Sequence, residues 1–246
     1  MAPGVHFLDA AAPDGMRLYA IGDVHGRLDC LTLMHEMISA EIARDRPDDW
    51  RIIHLGDYVD RGPDSAGVLD VLAQATAGDE RMLALFGNHD EGFLDFLADP
   101  RHSELFLHFG GFDTAASYGV VLDVLTEAAL FESHRRLVDA VPESHLAFLR
   151  DRPRSLSFGD FFFCHAGVRP GAALDAQNPH DLIWIRREFL THAGLYDKVV
   201  VHGHTPVGRA EIMPNRVDVD TMAFDTGRLT ALVVDGREKR FIEARA

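Results

Sequence analysis

The segment HLGDYVDRGPDS, residues 54–65, places three aspartates and an arginine within eight residues, directly after the apolar pair Ile52 and Ile53. An apolar run that stops at a Gly- and Asp-rich cluster is typical of a strand that leaves the core and turns at a sheet edge. This pattern occurs five times, at residues 17–21 before GDVHG, 51–55 before GDYVDRG, 82–86 before GNHDE, 161–164 before HAGVRPG and 198–201 before HGHTP. We therefore predict five strands whose ends carry polar loops.

Helical patterns separate the predicted strands. Residues 28–43 carry apolar side chains at helical spacing, and residues 65–77 follow Asp64 and Ser65, either of which can cap a helix. Alternating strands and helices predict an α/β fold with covering helices. Loops at the carboxyl ends of strands converge on one rim of such a sheet, so the polar clusters should meet in space. Residues 91–150 predict an insert of several short helices with a glycine-rich break at 110–119, and we expect this insert to cover the rim.

The chain has 246 residues, and no repeat, low-complexity tract or Pro/Ser-rich linker divides it. We therefore expect one domain over residues 1–246. The formal net charge is −15, and no basic block compensates for it. This charge argues against nucleic acid or an anionic membrane as a partner, so a phosphate group would have to be attracted locally.

The two cysteines, Cys30 and Cys164, lie far apart within apolar sequence, which predicts reduced core thiols in a cytoplasmic protein. Arg169 follows Cys164 one residue too early for a Cys-x5-Arg loop, so catalysis by a cysteine nucleophile is not expected. The amino-terminal stretch has no basic segment followed by an apolar one, and no apolar run long enough to span a membrane occurs later. Export and membrane insertion are not expected.

The polar clusters supply oxygen and imidazole donors without thiolates. This donor set suits Mn²⁺, Fe or Zn²⁺ better than a structural zinc site of the cysteine type. Six donors exceed what one ion with an open coordination position needs, and they predict two ions about 3.5–4 Å apart that share a carboxylate. The candidate ligands are Asp23, His25, Asp57, Asn88, His165 and either His202 or His204.

Each cluster alone has a simpler explanation, because Gly, Asn and Asp favour strand-to-helix turns whatever the function. Five such clusters in one chain, each after a predicted strand, exceed what turn preference produces. The motifs GDVHG, GDYVDRG, GNHDE, HAG and GHT, in this order and spacing, resemble those of the calcineurin-like metallophosphoesterases. Within that superfamily they resemble the bacterial PPP-type serine/threonine protein phosphatases, and the resemblance extends to residues 110–119, 182–190 and 220–232.

The resemblance implies a sandwich of two mixed β-sheets flanked by helices. It also implies hydrolysis of phosphomonoesters on phosphorylated proteins or peptides, by direct attack of a hydroxide that bridges two divalent metal ions. Manganese is the expected metal, with iron or zinc as alternatives.

The resemblance further assigns roles to individual residues. The first metal would be held by Asp23, His25 and the bridging Asp57, and the second by Asp57, Asn88, His165 and His204. His204 is the histidine that the GHT motif carries, so His202 is expected to lie near the site without binding metal. The remaining roles are the general acid, its orienting partner and two phosphate-binding arginines, which match His89, Asp60, Arg61 and Arg186.

Two other functions stay open. Diadenosine tetraphosphatases share the scaffold. The symmetrical type usually has GDxQG at the first motif and lacks an aspartate at position 60, so the motifs of this chain disfavour it. The motifs do not separate this chain from asymmetrical nucleotide hydrolases. An inactive metal-binding scaffold is the third reading, but no ligand or acid is missing. The chain departs from the family at Met222, where DTGA has a glycine, and a left-handed backbone there would be strained.

Overall fold

The computed structural model describes residues 4–102 and 104–246. Its strands form two five-stranded sheets, in the orders β10-β9-β1-β2-β3 and β4-β5-β6-β8-β7. The strands are β1 Met16–Ile21, β2 Asp49–His54, β3 Met82–Ala84, β4 Ser155–Phe158, β5 Phe161–Cys164, β6 Val199–His202, β7 Glu211–Ile212, β8 Arg216–Asp218, β9 Arg228–Asp235 and β10 Glu238–Arg245. Both sheets are mixed, because β1, β2 and β3 are parallel while β9 runs antiparallel to β1, and β5, β6 and β8 are parallel while β4 and β7 are antiparallel.

Helices cover the sheets and fill the long connection between β3 and β4. They are α1 Leu28–Asp45, α2 Ser65–Gly78, α3 Asn88–Ala98, α4 Glu104–His108, α5 Gly111–Ser117, α6 Glu127–Ala140, α7 Glu143–Arg150, α8 Asp181–Trp184, α9 Arg187–Leu190 and α10 Ala223–Thr226, with a 3₁₀ turn at Leu174–Ala176. Among the residues described, no helix is long and apolar enough to cross a membrane.

The alternation of side chains along β1 shows how the layers pack. Leu18 and Ala20 point to the second sheet and pack in one cluster with Phe161 and Val199. Tyr19 points the other way, into a cluster formed with the helices. Successive strand residues face opposite sides of a sheet, so β1 is buried on both faces. The predicted α/β sandwich of two mixed sheets flanked by helices is confirmed.

The five strands predicted ahead of the polar clusters all form, within two residues of the expected ends. Asp64 caps α2, because its carboxylate accepts a hydrogen bond from the Gly67 N–H at 2.8 Å. The predicted glycine-rich break at 110–119 was wrong, since residues 111–117 form α5. Gly110, the N-cap of that helix, has φ +112°, and a Cβ on Gly111 would lie 2.5 Å from the Phe106 ring, so these glycines permit close packing of the helix.

Candidate active site

The loops that follow β1, β2, β3, β5 and β6 meet at one rim of the sandwich. Each contributes polar side chains that the sequence singled out, and every predicted ligand is no more than 4% exposed. Side chains of this polarity are rarely buried without partners, so their burial together points to a shared role. The residues are Asp23 and His25 after β1, Asp57 after β2, Asn88 at the start of α3, His165 after β5 and His204 after β6.

Asp57 lies at the centre of this arrangement. Its Oδ2 is 3.6 Å from His25 Nε2 and 3.3 Å from His165 Nε2. Within the part of the chain that the structure describes, two groups of side chains are compact enough to hold an ion, His25–Asp57–His89 and Asp57–His165–His204, and Asp57 belongs to both. A carboxylate shared between two groups is the geometry that a bridging ligand requires.

Backbone carbonyls orient the imidazoles around Asp57. His25 Nδ1 lies 2.7 Å from the Val59 carbonyl oxygen, and His165 Nδ1 lies 3.1 Å from that of Leu55. A carbonyl only accepts, so each Nδ1 carries a proton, and each Nε2 faces Asp57. Such hydrogen bonds to the far nitrogen are the usual means of orienting a histidine ligand.

Asn88, Asp23 and His202 complete the surroundings of the centre. Asn88 Oδ1 lies 2.9 Å from His165 Nε2, whereas Asp23 lies outside both compact groups and accepts the His204 N–H at 3.0 Å. A Cβ on Gly203 would overlap the Asp23 carboxylate, which explains the glycine before His204. His202 lies outside both groups and contacts the backbone through Nδ1, 2.9 Å from the Gly203 oxygen.

The predicted acid and its partner are in contact. His89 Nδ1 donates to Asp60 Oδ2 at 2.7 Å, and both side chains are almost fully buried. Burial opposes protonation of His89, yet the Asp57 charge and the bond to Asp60 raise its pKa above the ordinary value. Arg61 joins this pair to the metal side of the site, since its Nη2 is 3.0 Å from His89 Nε2 and its Nη1 is 3.0 Å from His25 Nε2.

Arg186 borders the opposite side. Its Nε donates to His204 Nε2 at 2.9 Å and its Nη2 donates to the His204 carbonyl at 3.2 Å. The Trp184 ring, two residues earlier, lies 6.3 Å from the His204 ring. The neighbouring Arg187 begins α9, and both arginines are exposed.

Sequence reasoning missed Asp90, whose side chain holds the backbone on either side of the candidate metal centre. Its carboxylate accepts the N–H groups of Asp57 and Tyr58 at 3.0 Å and of Gly87 at 2.9 Å. Asp57 adopts a left-handed φ of +54°, which is rare for a residue other than glycine, and these bonds hold it there. An acidic residue at the third position of a helix is a capping-box signal, and it could have identified Asp90.

The electrostatics of the site fit bound cations. Burial, with Asp220 and Asp57 nearby, raises the pKa of Asp23, and burial together with Asp57 raises the pKa of Asp90 to about 7. Neighbouring histidines hold the pKa of Asp57 well below its usual range although burial opposes this. Asp220 Oδ2 is buried and has no hydrogen-bond partner among the residues described. Buried carboxylates that repel one another form a donor set that divalent ions would stabilise.

Comparisons with known proteins agree with this geometry. Residues 16–233 match the family model described as calcineurin-like phosphoesterase. An asymmetrical bis(5'-nucleosyl)-tetraphosphatase, PrpE, from Halalkalibacterium halodurans is 28% identical over 247 residues, with 88% of this chain and 89% of the relative covered. Serine/threonine-protein phosphatase 1 from Salmonella typhimurium is 24% identical over 235 residues, with coverage of 94% and 97%.

The fold also matches solved structures. One, named provisionally as a diadenosine tetraphosphatase, superposes with a TM-score of 0.63 at 18% identity and covers 96% of this chain and 98% of its own. At this sequence identity, the similarity shows a shared fold and nothing more.

Proposed function

This chain belongs to the calcineurin-like phosphoesterase family, and from that premise we propose that it is a metal-dependent phosphomonoester hydrolase of the PPP type, acting on phosphorylated serine and threonine residues of proteins. The observation that carries the proposal is the buried His89–Asp60 pair beside the candidate metal centre. The relatives include both a protein phosphatase and nucleotide hydrolases, so the choice between them depends on what this pair can do.

Two divalent ions, with manganese expected, would be bound at the centre. When bound, such ions supply Lewis-acid polarisation of phosphoryl oxygens and lower the pKa of a water molecule. Asp57 is suited to bridge them, because its Oδ2 faces His25 Nε2 and His165 Nε2 from within 3.6 Å. The proposed ligands are Asp23, His25 and Asp57 for one ion, and Asp57, Asn88, His165 and His204 for the other.

His89 is suited to protonate a poor leaving group. A serine or threonine side chain leaves as a strongly basic alkoxide, so its departure needs a proton, and a positioned acid typically contributes about 10²–10⁴-fold. Asp60 fixes a proton on His89 Nδ1, so Nε2, which lies 3.0 Å from Arg61 Nη2, is the nitrogen that would carry the proton that is transferred. A nucleotide leaving group is a phosphate, which needs this help far less, and the pair therefore favours a monoester of an alcohol.

Arg61 and Arg186 are placed to bind the phosphoryl group. Their guanidinium groups approach the histidines from two sides, at His89 and at His204. A planar guanidinium can form paired hydrogen bonds to phosphoryl oxygens, which a lysine cannot. The positive charge of these two arginines would attract an anionic substrate locally, although the chain as a whole has a net charge of −15.

Hydrolysis of a dinucleoside polyphosphate is the second candidate, and two aromatic rings at the rim favour it. Phe109 is 53% exposed, with its ring centroid 6.4 Å from that of His89, and the ring centroid of the half-buried Phe224 lies 4.8 Å from the Arg61 guanidinium carbon. Exposed aromatic rings stack on nucleobases.

The test is a side-by-side assay with Mn²⁺ of a phosphoserine peptide and diadenosine tetraphosphate. We expect higher kcat/KM on the peptide, and a loss of about 10²-fold or more in the variant His89→Asn. His108→Asn is the control, because His108 is exposed on α4 and its ring binds its own helix at Glu104. Higher efficiency on the nucleotide would replace the first proposal with the second. A metal-loaded protein that cleaves neither substrate nor p-nitrophenyl phosphate would indicate an inactive scaffold.

A further inference from the structure

Helix α5 of the insert places one hydroxyl group against the acid pair. Thr114 Oγ1 lies 2.8 Å from Asp60 Oδ1 and 2.8 Å from the Asp60 backbone nitrogen, and 3.1 Å from Ser65 Oγ. All three residues are fully buried, with 0% exposure. Thr114 is 54 positions from Asp60 in the chain, so this contact joins the insert to the loop after β2.

The direction of each hydrogen bond can be assigned. A threonine hydroxyl has one proton and two acceptor sites, and a carboxylate only accepts. The Thr114 proton therefore goes to Asp60 Oδ1, while its two acceptor sites take the Asp60 N–H and the Ser65 hydroxyl. Asp60 Oδ2 accepts from His89 Nδ1 at 2.7 Å. The Asp60 carboxylate is thus held by the insert on one oxygen and holds His89 with the other.

The backbone of this loop depends on the same contacts. Asp60 and Arg61 are consecutive non-glycine residues with φ values of +71° and +70°. A left-handed conformation costs roughly 1–2 kcal/mol for each such residue, so tertiary contacts must maintain it. Thr114 and Ser65 accept the Asp60 N–H, and Gly110 packs so closely that a Cβ there would overlap the Arg61 backbone nitrogen.

We infer that Thr114 is a positioning residue, through which the insert fixes Asp60 and thereby holds His89 in the orientation that donates a proton to the leaving group. This inference rests on the proposed function, since it concerns the proton that His89 gives to an alkoxide.

A positioning role and a purely structural role of Thr114 predict different effects on different substrates. If Thr114 acts through His89, its loss reduces turnover only where the leaving group needs a proton. Serine is such a leaving group, whereas p-nitrophenolate is stable without one. A general loss of folding or of metal would reduce both substrates alike.

The experiment compares Thr114→Val, which removes the hydroxyl at nearly constant volume, with Thr114→Ser, which keeps it. We expect Thr114→Val to lower kcat on a phosphoserine peptide by about 10- to 100-fold, part of the full contribution of a general acid, with KM changed by less than about two-fold. On p-nitrophenyl phosphate its kcat should fall by less than about three-fold, and Thr114→Ser should restore the peptide activity. Thr114→Ala serves the same comparison if the valine variant does not fold.

Ser117→Ala is the matched control. Ser117 lies one turn further along α5 and also contacts the start of α2, accepting the Ala66 N–H at 3.1 Å, but it does not touch Asp60. It should leave the ratio of the two activities unchanged. Equal losses on both substrates in the Thr114 variants, or no loss, would overturn the inference.

A second measurement does not require turnover. The His89 Nδ1 proton in its short bond to Asp60 should give a downfield NMR signal, which should shift or exchange faster in Thr114→Val but not in Ser117→Ala. An unchanged signal would contradict the positioning role. If the wild-type protein cleaves neither ester, the proposed function fails while this signal still decides the role of Thr114.

Discussion

Met222 provides a test of backbone strain beside the site. Its φ and ψ are both 56°, in the left-handed region, and it directly precedes α10, whose Phe224 packs on Arg61. The backbone bonds there do not involve the side chain, since the Met222 N–H donates to Asp220 Oδ1 and its carbonyl accepts from Asp225 and Thr226. Replacement by glycine should therefore keep these bonds and remove the strain.

The expected gain follows from a comparison of Met222→Gly with Met222→Ala. Both variants lose the methionine side chain, but only alanine keeps the Cβ that disfavours this conformation by roughly 1–2 kcal/mol. The greater freedom of glycine in the unfolded chain offsets about 0.4–1 kcal/mol of this. We expect the glycine variant to be more stable than the alanine variant by about 0.5–1 kcal/mol, or about 1–4 °C in Tm by calorimetry. A glycine variant less stable than the alanine variant would show that the left-handed backbone at position 222 is not strained.

Three further predictions concern pH, metal and the buried thiol. Burial lowers the pKa of His54 to about 3 in the folded protein, whereas its ordinary value is 6.5. Between pH 6.5 and pH 3 only the unfolded chain binds this proton, so the free energy of unfolding should fall as the pH decreases over this range. The loss attributable to His54 should reach about 2 kcal/mol by pH 5, and urea titrations of His54→Gln should show a flatter dependence on pH; parallel curves would contradict the assignment. Mn²⁺ at about 100 times its Kd should raise Tm by about 5–10 °C over the chelator-treated protein, and an unchanged Tm would argue against a buried ion site. Cys164→Ser should retain kcat within about two-fold, because burial raises the pKa of the thiol and so disfavours a nucleophilic thiolate. It should lose roughly 1–3 kcal/mol of stability, because the new hydroxyl lies in an apolar cluster. Near-total loss of activity in a folded variant would point to a cysteine nucleophile.

Local patterns predicted the strands that lead into the site, because each is an apolar run that ends at a polar turn. The same logic applies to the hairpin of β9 and β10, where Gly236 and Arg237 join the two strands and Gly236 has φ +54°. The two exposed residues of β7 carry no such signal, since their strand exists only by pairing with β8. Short edge strands depend on their neighbours more than on their own residues.

The candidate ligands could be chosen from sequence because strand ends of an open sheet converge, whereas the contacts that hold them could not. Asp57, Asp60 and Arg61 all adopt positive φ, which their residue types disfavour and which only distant partners maintain. Thr114 was hidden within a segment that was interpreted as a break, and nothing local distinguishes its hydroxyl from a helix surface group. Contacts between positions far apart in sequence are those that single-sequence patterns do not show.

Metal content and turnover of Asp57→Asn, measured beside the wild type, show whether this carboxylate bridges two ions. If Asp57 bridges two ions, the wild-type chain should bind two Mn²⁺ and hydrolyse the phosphoserine peptide, because both compact donor groups include this carboxylate. The asparagine variant should bind fewer ions and lose more activity than His89→Asn, while the exposed control Asp225→Asn should resemble the wild type. An Asp57→Asn protein that keeps two ions per chain and the wild-type rate would show that Asp57 is not a bridging ligand.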